Sequence, residues 1–236
     1  MDLKEQDLLG QDIRTHWYYR SKCAALLRLI GDRPVCGILD VGAGSGFFSR
    51  ELLARTSARE ALCVDTGYER DRDETVSGKP LRFRRSCGAV DADLVLLMDV
   101  LEHVKDDRGL LAEYVAKMAA GTRVVITVPA FRFLWSGHDE FLGHERRYAV
   151  GEVEALVRAA GLEVVTAAYF FGLVFPLAAV RRLVSRAADG TRPRSDLSPL
   201  GPVMNSLLSA ACRLELPLLK WNRLAGLSVC CLARKP

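Results

Sequence analysis

The residues best suited to chemistry lie in residues 128–148, where an apolar run gives way to a polar segment. Two of the four histidines in the chain, His138 and His144, fall there beside Asp139. An imidazole can remove a proton near neutral pH, and a neighbouring carboxylate can hold it in the required tautomer. We expect His138 or His144 to act as a general base that Asp139 orients. The alternative is a structural hydrogen-bond cluster that leads into the next helix.

Three further side chains of this segment are expected to contact a bound substrate, namely Trp135, Arg146 and Tyr148. We expect no metal, although the two histidines and the aspartate are ligand types for one. The seven cysteines are scattered and form no CxxC pair. This pattern predicts reduced thiols in a cytoplasmic protein and argues against a structural zinc site.

A glycine-rich turn forms a second candidate site. Gly42, Gly44 and Gly46 follow an apolar run that predicts a buried strand, and the residues from Phe47 onward have helical spacing. Glycines in such a turn allow close approach of a nucleotide-like ligand, and the helix N-terminus presents free N–H groups. An acid about 20 residues further along the chain can bind ribose hydroxyls. Asp65 stands in that position.

The elements around these residues predict a doubly wound α/β fold. Apolar runs predict seven strands, at residues 35–41, 60–65, 81–85, 93–98, 123–128, 162–169 and 227–233. Helical spacing between the strands predicts a mostly parallel sheet that is covered on both faces. Residues 67–80 are polar, and we expect a loop or a short helix there.

Residues 170–226 lack a strand pattern, and Gly and Pro interrupt their apolar clusters. We predict a helical cap that is inserted before the last strand of a single domain, residues 1–236. Basic residues such as Arg181 and Arg213 are interleaved with the apolar ones. Such a cap suits a lid over a hydrophobic acceptor, a peripheral contact with an anionic membrane, or packing that includes a homodimer interface.

The motifs around the glycine turn resemble those of a known family. Leu39 to Gly46 (LDVGAGSG) resembles the first motif of class I methyltransferases that use S-adenosylmethionine (SAM). Phe47 stands where a dinucleotide site has its third glycine. Leu97 to Val104 (LMDVLEHV) is similar to the fourth-strand motif of the ubiquinone-biosynthesis O-methyltransferase type, in the methyltransferase type 11 group. The resemblance covers residues 15–170 and the final strand.

The resemblance implies SAM as the cofactor. It implies that Asp65 binds the ribose, that Met98 packs near the adenine and the methionine part, and that Arg20 pairs with the SAM carboxylate. The acid that the family often has after the third strand is replaced here by Ser86 and Cys87. The implied cofactor residues are Arg20, Asp40, Gly42, Ala43, Gly44, Gly46, Asp65, Thr66, Ser86, Cys87, Met98, Asp99, Val100 and His103.

The predicted function is methyl transfer from SAM to a small molecule, with a hydroxyl on a hydrophobic or lipid-linked scaffold as the expected acceptor. N- and C-methylation stay open, and an NAD(P)-dependent oxidoreductase and a non-catalytic SAM-binding module are the alternatives. The net charge of +4 is slight and the basic residues form no long run, so we expect no nucleic acid partner. The longest apolar stretch, residues 169–180, is shorter than the ~20 residues of a membrane-spanning helix.

Overall fold

An eight-stranded sheet lies at the centre of the computed structural model, which describes residues 13–89, 91–189, 193, 195–196 and 200–236. The polar start of the chain, residues 1–12, lies outside the described residues. The strands are β1 (Gly37–Val41), β2 (Glu60–Val64), β3 (Arg72–Val76), β4 (Lys79–Arg84), β5 (Leu94–Met98), β6 (Arg123–Pro129), β7 (Glu163–Phe170) and β8 (Ser228–Arg234). Their order across the sheet is β3-β4-β2-β1-β5-β6-β8-β7.

The sheet is mostly parallel, as the sequence predicted. The adjacent strands β4, β2, β1, β5 and β6 run parallel, whereas β3 is antiparallel to β4, and β8 is antiparallel to β6 and β7. The strand order reverses direction between β1 and β5. Doubly wound sheets bind ligands at the carboxyl ends of the strands beside such a reversal. The loops that follow β1, β2, β5 and β6 therefore surround the candidate site.

The predicted number of seven strands was wrong by one. The polar residues 67–80, expected to form a loop or a short helix, include β3 and the tight turn that joins it to β4. Ser77 and Gly78 in this turn have positive φ angles of 52° and 75°, as a two-residue hairpin turn requires. β3 is an edge strand whose side chains are exposed or half-buried. It therefore lacks the apolar pattern by which the other strands were predicted.

Helices cover both faces of the sheet. They are α1 (Trp17–Ile30), α2 (Phe47–Arg55), α3 (Asp107–Lys117), α4 (Gly137–Leu142), α5 (Val150–Ala159), α6 (Phe175–Asp189) and α7 (Pro202–Glu215). Alternate residues of the central strands contribute to two separate buried clusters. One cluster includes side chains of α1, α2 and α7, and the other includes side chains of α3 and α5. The core is thus a sheet between two helical layers.

The predicted cap contains α6, α7 and a short 3-10 helix, Leu216–Trp221. Asn205 of α7 fastens the cap to the start of α1. Its Oδ1 accepts a hydrogen bond from the backbone N–H of Trp17 at 2.7 Å, and its Nδ2 donates to the carbonyl of Thr15 at 3.0 Å. The cap therefore packs directly against the helix that precedes β1.

Glu215 fixes the other end of α7. Its carboxylate accepts from the backbone N–H of Phe171 at 2.7 Å and of Leu173 at 2.9 Å. These bonds join the end of α7 to the segment that leaves β7. Within the described ranges, every helix is too short or too polar to cross a membrane.

Candidate active site

The glycine turn lies between β1 and α2. Gly42, Gly44 and Gly46 have φ angles of 63°, 53° and 74°, a region that residues with a Cβ atom rarely adopt. A Cβ atom on Gly42 would lie 2.8 Å from the side chain of Val100, and one on Gly46 would lie 2.9 Å from the ring of Phe83. Both conformation and packing therefore require glycine at these two positions.

Asp65 holds the glycine turn against the end of β2. Its Oδ2 accepts from the backbone N–H of Gly44 at 3.0 Å, and its Oδ1 accepts from that of Gly67 at 2.8 Å. Tyr68 also joins the glycine turn to the segment after β2, because its hydroxyl donates to the carbonyl of Gly44 at 2.7 Å. The carboxylate is half-buried. A carboxylate can accept hydrogen bonds from ribose hydroxyls, and a glycine turn lets a ligand approach the backbone closely, so these residues fit SAM.

The other expected cofactor residues differ in exposure. Ser86 and Thr66 are exposed, Ala43 and Cys87 are half-buried, and Met98 and Val100 are buried. They lie in the turn after β1, at the last residue of β5, or beyond the carboxyl ends of β2, β4 and β5. Asp40 is 2% exposed and accepts a hydrogen bond from Ser49 at 2.8 Å. This hydrogen bond joins β1 to α2, the two elements on either side of the glycine turn.

A cavity of about 290 Å³ lies between the sheet and the cap, and we call it the cap cavity. Its walls come from the start of α1, the ends of β5 and β6, both cap helices and the polar part of residues 128–148, which we call the histidine segment. Most of its surface is apolar, and the polar residues are grouped in two clusters. Its lining residues include Trp17, Tyr18, Asp99, Glu102, His138, His144, Arg147, Leu177, Arg181, Met204 and Leu208.

The first polar cluster is centred on Asp99, at the end of β5. Asp99 has a φ angle of 57° and forms an ion pair with Lys22 of α1, which is 1% exposed. Thr127 donates to its Oδ1 at 2.9 Å, and Tyr18 donates to its Oδ2 at 3.4 Å. Asp99 was expected from the motif, whereas Lys22 and Tyr18 were missed. Their spacing of four residues on a helix was the available signal.

The second polar cluster is centred on Asp139, which is fully buried. Its Oδ1 lies 2.8 Å from Nδ1 of His144 and accepts from Nε of Arg147 at 2.7 Å. Its Oδ2 accepts from the backbone N–H of Ser136 at 2.9 Å. Burial opposes ionisation, but the hydrogen bonds from His144 and Arg147 outweigh it and hold the pKa of Asp139 well below its usual value. Asp139 is therefore a carboxylate near neutral pH.

His144 and His138 both line the cap cavity but differ in their partners. Burial lowers the pKa of His144, although Asp139 opposes this change. With Nδ1–H donated to Asp139, Nε2 of the neutral ring keeps its lone pair for a proton. His138 accepts from the backbone N–H of Asp196 through Nδ1 at 3.1 Å, and burial, followed by the charge of Arg182, lowers its pKa to about 3. Of the two expected bases, His144 has the arrangement that proton transfer needs.

The three residues expected to contact substrate have other partners. Trp135 donates from Nε1 to Glu140 at 2.7 Å, and Arg146 donates to the carbonyl of Lys105 at 2.7 Å. Tyr148 is buried and donates to Asp107 at 2.8 Å. None of the three lines the described cap cavity. The expected contact of these three residues with substrate stays a prediction.

Glu102 is a site residue that sequence reasoning missed. It is fully buried and lines the cap cavity, and neither of its carboxyl oxygens has a hydrogen-bond partner in the described structure. Burial raises its pKa to about 8, against a smaller opposing effect of its own backbone. A carboxyl group without a partner is costly in a core, so its place on the cavity wall indicates a role toward a ligand.

Among the residues that the structure describes, one group of side chains could hold a metal ion. Ligand atoms of Glu102, His103 and His144 lie within 4.8 Å of one another, and carboxylate with imidazole is a donor set for divalent transition metals. His103 was expected to contact the cofactor, but its ring packs edge-on against His144 at a centroid distance of 4.7 Å. The structure therefore places His103 beside the expected base.

Arg20 lies in a separate groove. Its side chain is exposed, and the groove that it lines also contains Arg14, Arg55 and Arg213, with Glu51 as an acid. The residues of α1 that line the cap cavity are Trp17 and Tyr18. The expected ion pair of Arg20 with the SAM carboxylate stays a prediction.

A glycine turn after β1, an acid after β2 and a capped cavity beside them are typical of methyltransferases with a doubly wound sheet. The chain belongs to the family described as methyltransferase domain, whose model matches residues 14–167. This match confirms the SAM-dependent methyltransferase that the motifs predicted. No curated relative matches the sequence.

Solved structures of low sequence identity share the fold. A SAM-dependent methyltransferase from Archaeoglobus fulgidus has a TM-score of 0.53 at 15% identity, over 92% of this chain and 94% of that chain. The N-methyltransferase NodS from Bradyrhizobium japonicum, solved with S-adenosylhomocysteine, has a TM-score of 0.52 at 13% identity, over 93% and 88%. The [4+2]-cyclase SpnF has a TM-score of 0.55 at 16% identity, over 93% and 82%. Because proteins of different activities share this fold, the acceptor must be inferred from the site.

Proposed function

We propose that the protein transfers the methyl group of SAM to a hydroxyl of a hydrophobic small molecule, of a lipid-linked kind, that binds in the cap cavity. The observation that carries this proposal is the neutral imidazole of His144, paired with Asp139, on the wall of a mostly apolar cavity. A hydroxyl must lose its proton during methylation, whereas an apolar wall favours a hydrophobic acceptor. The resemblance to O-methyltransferases of ubiquinone biosynthesis supports the same acceptor class.

The two parts of the site have separate tasks in this proposal. SAM, when bound, supplies a methyl group on a positively charged sulfur. Asp65 binds the ribose hydroxyls, the turn of Gly42 to Gly46 accommodates the amino acid part, and Met98 packs against the adenine side. The cap excludes water from the acceptor and so strengthens the electrostatic interactions within the cavity.

The chain's own residues perform the proton transfer. Arg147 neutralises Asp139 and fixes its position, and Asp139 holds the Nδ1–H of His144. His144 would accept the proton of the acceptor hydroxyl at Nε2, so that the oxygen could take the methyl group from the sulfur of bound SAM, which would leave as the neutral thioether. The resulting imidazolium is stabilised by Asp139, which stays ionised. General base catalysis of this kind contributes typically ~100-fold or more to the rate.

Labelled SAM offers a direct test of the acceptor class. The protein is incubated with methyl-labelled SAM and a solvent-fractionated lipid extract, and the organic phase is examined by mass spectrometry. We expect a labelled product that is heavier than its precursor by one CH₂ group and carries an ether bond. Label confined to water-soluble amines would overturn the proposed acceptor class. A rate that requires added Mg²⁺ or Mn²⁺ and is lost with a chelator would assign Glu102, His103 and His144 to a metal and would contradict the base role.

The alternative function, an NAD(P)-dependent oxidoreductase, has no family match to support it. The family match covers the segment that contains both the glycine turn and the histidine segment. Calorimetric titration separates the two cofactors, because the proposal predicts heat of binding with SAM and none with NADH.

A further inference from the structure

The two cap helices expose apolar side chains along one stripe each. Around α6 the stripe consists of Leu173, Leu177, Val180 and Val184, which are 59–70% exposed. Around α7 it consists of Val203, Leu207, Leu214 and Leu218, which are 60–74% exposed. Within the helices the spacings are three, four or seven residues, so the three residues of each stripe that lie in a helix occupy one side of it. Leu173 lies just before α6, and Leu218 lies in the 3-10 helix that follows α7. We call these eight side chains the cap face.

Charges beside the cap face are mainly basic. Arg213 and Lys220 are exposed, whereas Arg181 lies 4.0 Å from the carboxylate of Asp196, which also pairs with Arg182. Within residues 200–221 the one acid is Glu215, whose carboxylate accepts from the N–H groups of Phe171 and Leu173. Arg213 also lines the groove with Arg14, Arg20 and Arg55. Apolar side chains bordered by arginine and lysine are the composition of an interfacial helix on an anionic membrane.

Exposed residues of both cap helices line the cap cavity, and one of them, Leu177, belongs to the cap face. Leu177, Arg181 and Met204 line the cavity, and they are 70%, 64% and 50% exposed. A molecule that entered between α6 and α7 would therefore pass the cap face. This position would allow a hydrophobic acceptor to leave a bilayer without crossing water.

We propose that the cap face docks onto the surface of an anionic lipid bilayer and that the acceptor enters the cap cavity from it. A second copy of the chain is the competing occupant. A two-fold contact through this face would place the same basic residues of each copy at one interface, which is unfavourable, whereas anionic lipid headgroups complement them. The entry route rests on the proposed function, but docking itself does not.

Vesicle binding of the full chain tests the docking. Sedimentation with vesicles of phosphatidylcholine alone is compared with vesicles that also contain phosphatidylglycerol, without SAM or acceptor. We expect binding to the anionic vesicles that weakens at high salt, because the basic residues contribute. The double variant L207D/L214D should reduce partitioning by at least about tenfold, since two buried leucine contacts are lost.

The matched control is V165D, because Val165 is 58% exposed but lies on the edge strand β7 and is not part of the cap face. It should bind vesicles as the unchanged protein does. Calorimetric titration with SAM checks that each variant is folded. If L207D/L214D does not fold, V180D/V184D on α6 replaces it with the same expectation.

Three results would overturn the inference: no binding to anionic vesicles, equal binding by the unchanged protein and both cap variants, or equal loss in V165D. A dimer in light scattering that the cap variants disperse, together with no vesicle binding, would assign the face to a second copy. Methylation of a detergent-solubilised acceptor without vesicle binding would contradict the docking alone. Vesicle binding without methylation of any hydroxyl would contradict the proposed function alone.

Discussion

Nδ1 of His144 lies 2.8 Å from Oδ1 of Asp139, and the two side chains are 5% and 0% exposed. His144 lines the cap cavity, and in the proposed function this pair moves the acceptor's proton. Arg147, which is 2% exposed, contacts the same carboxylate oxygen at 2.7 Å. The charge of Asp139 is therefore balanced, and the ring of His144 is held in one orientation. Five expectations follow from these clusters and from the burial of the chain's titratable groups.

Asp139→Asn should destabilise the protein in a pH-dependent way. The substitution leaves the buried Arg147 without its counter-charge, so the free energy of unfolding at pH 7 should fall by about 3 kcal/mol or more. Because the folded-state pKa of Asp139 is lowered, its stabilisation is present above the unfolded pKa and is lost as the pH falls toward the folded one. In urea unfolding, the free energies of unfolding of the variant and the unchanged protein should therefore become more similar below about pH 4. Asp73→Asn, at an exposed pair with Arg84, is the control and should show little effect.

Lys22→Met should also destabilise the protein strongly. Removing the lysine leaves Asp99 on the cavity wall without its cation, which costs about 3–5 kcal/mol for a buried pair. The double variant Lys22→Met with Asp99→Asn should recover part of this loss in thermal unfolding, because no charge is then left unpaired. Arg82→Met breaks a pair with Glu60 that is 43% and 47% exposed and should cost no more than about 1 kcal/mol. If Lys22→Met lowers the free energy of unfolding by no more than Arg82→Met does, the Lys22–Asp99 pair contributes little to stability.

Glu102→Gln should stabilise the protein at alkaline pH. The folded-state pKa of Glu102 is raised to about 8, so the folded state holds a proton that the unfolded chain releases near its ordinary pKa. Stability should therefore fall as the pH rises from the ordinary carboxyl range through about 8. The glutamine variant lacks this titration and should be more stable than the unchanged protein at pH 8 and nearly equal at pH 4. A parallel pH dependence of the two proteins in urea unfolding would contradict the assigned burial.

Thiol labelling should distinguish the cysteines by burial. Cys36 is exposed, whereas Cys23, Cys63, Cys212, Cys230 and Cys231 are buried. Burial raises the pKa of Cys23 to about 11 and those of Cys212, Cys230 and Cys231 to about 12, which suppresses the reactive thiolate. A thiol reagent at pH 8 should give a fast phase that Cys36→Ser removes. A fast phase that survives both Cys36→Ser and the same change at the half-buried Cys87 would place a buried thiol at the surface.

The parallel sheet and some of the site residues could be predicted from the sequence. Alternating strands and helices predicted the parallel sheet, because buried strands need continuous apolar runs. The edge strand β3 was missed because its side chains face solvent. The sequence predicted that Asp139 orients either His138 or His144, since all three lie in one short segment. The choice between His144 and His138 depended on the backbone N–H of Asp196, which occupies Nδ1 of His138 from 58 residues away.

Lys22 and Glu102 could not be identified as site residues from local sequence patterns. Lys22 lies 77 residues before its partner Asp99, so only the packing of α1 over the end of β5 reveals the pair. Glu102 belongs to the quoted motif, but burial without a hydrogen-bond partner is a property of the folded core. Long-range packing of this kind is not encoded in residue spacing.

The methyl-transfer rate of His144→Asn tests the central claim most directly. With an acceptor identified from the labelled organic phase, kcat should fall by about a hundredfold or more, while the affinity for SAM in calorimetry is unchanged. His138→Asn, at the other histidine of the cap cavity, should keep kcat within a few-fold of the unchanged protein, because Nδ1 of His138 is already an acceptor for Asp196. A His144→Asn protein that binds SAM and retains the unchanged kcat would contradict the proposed base.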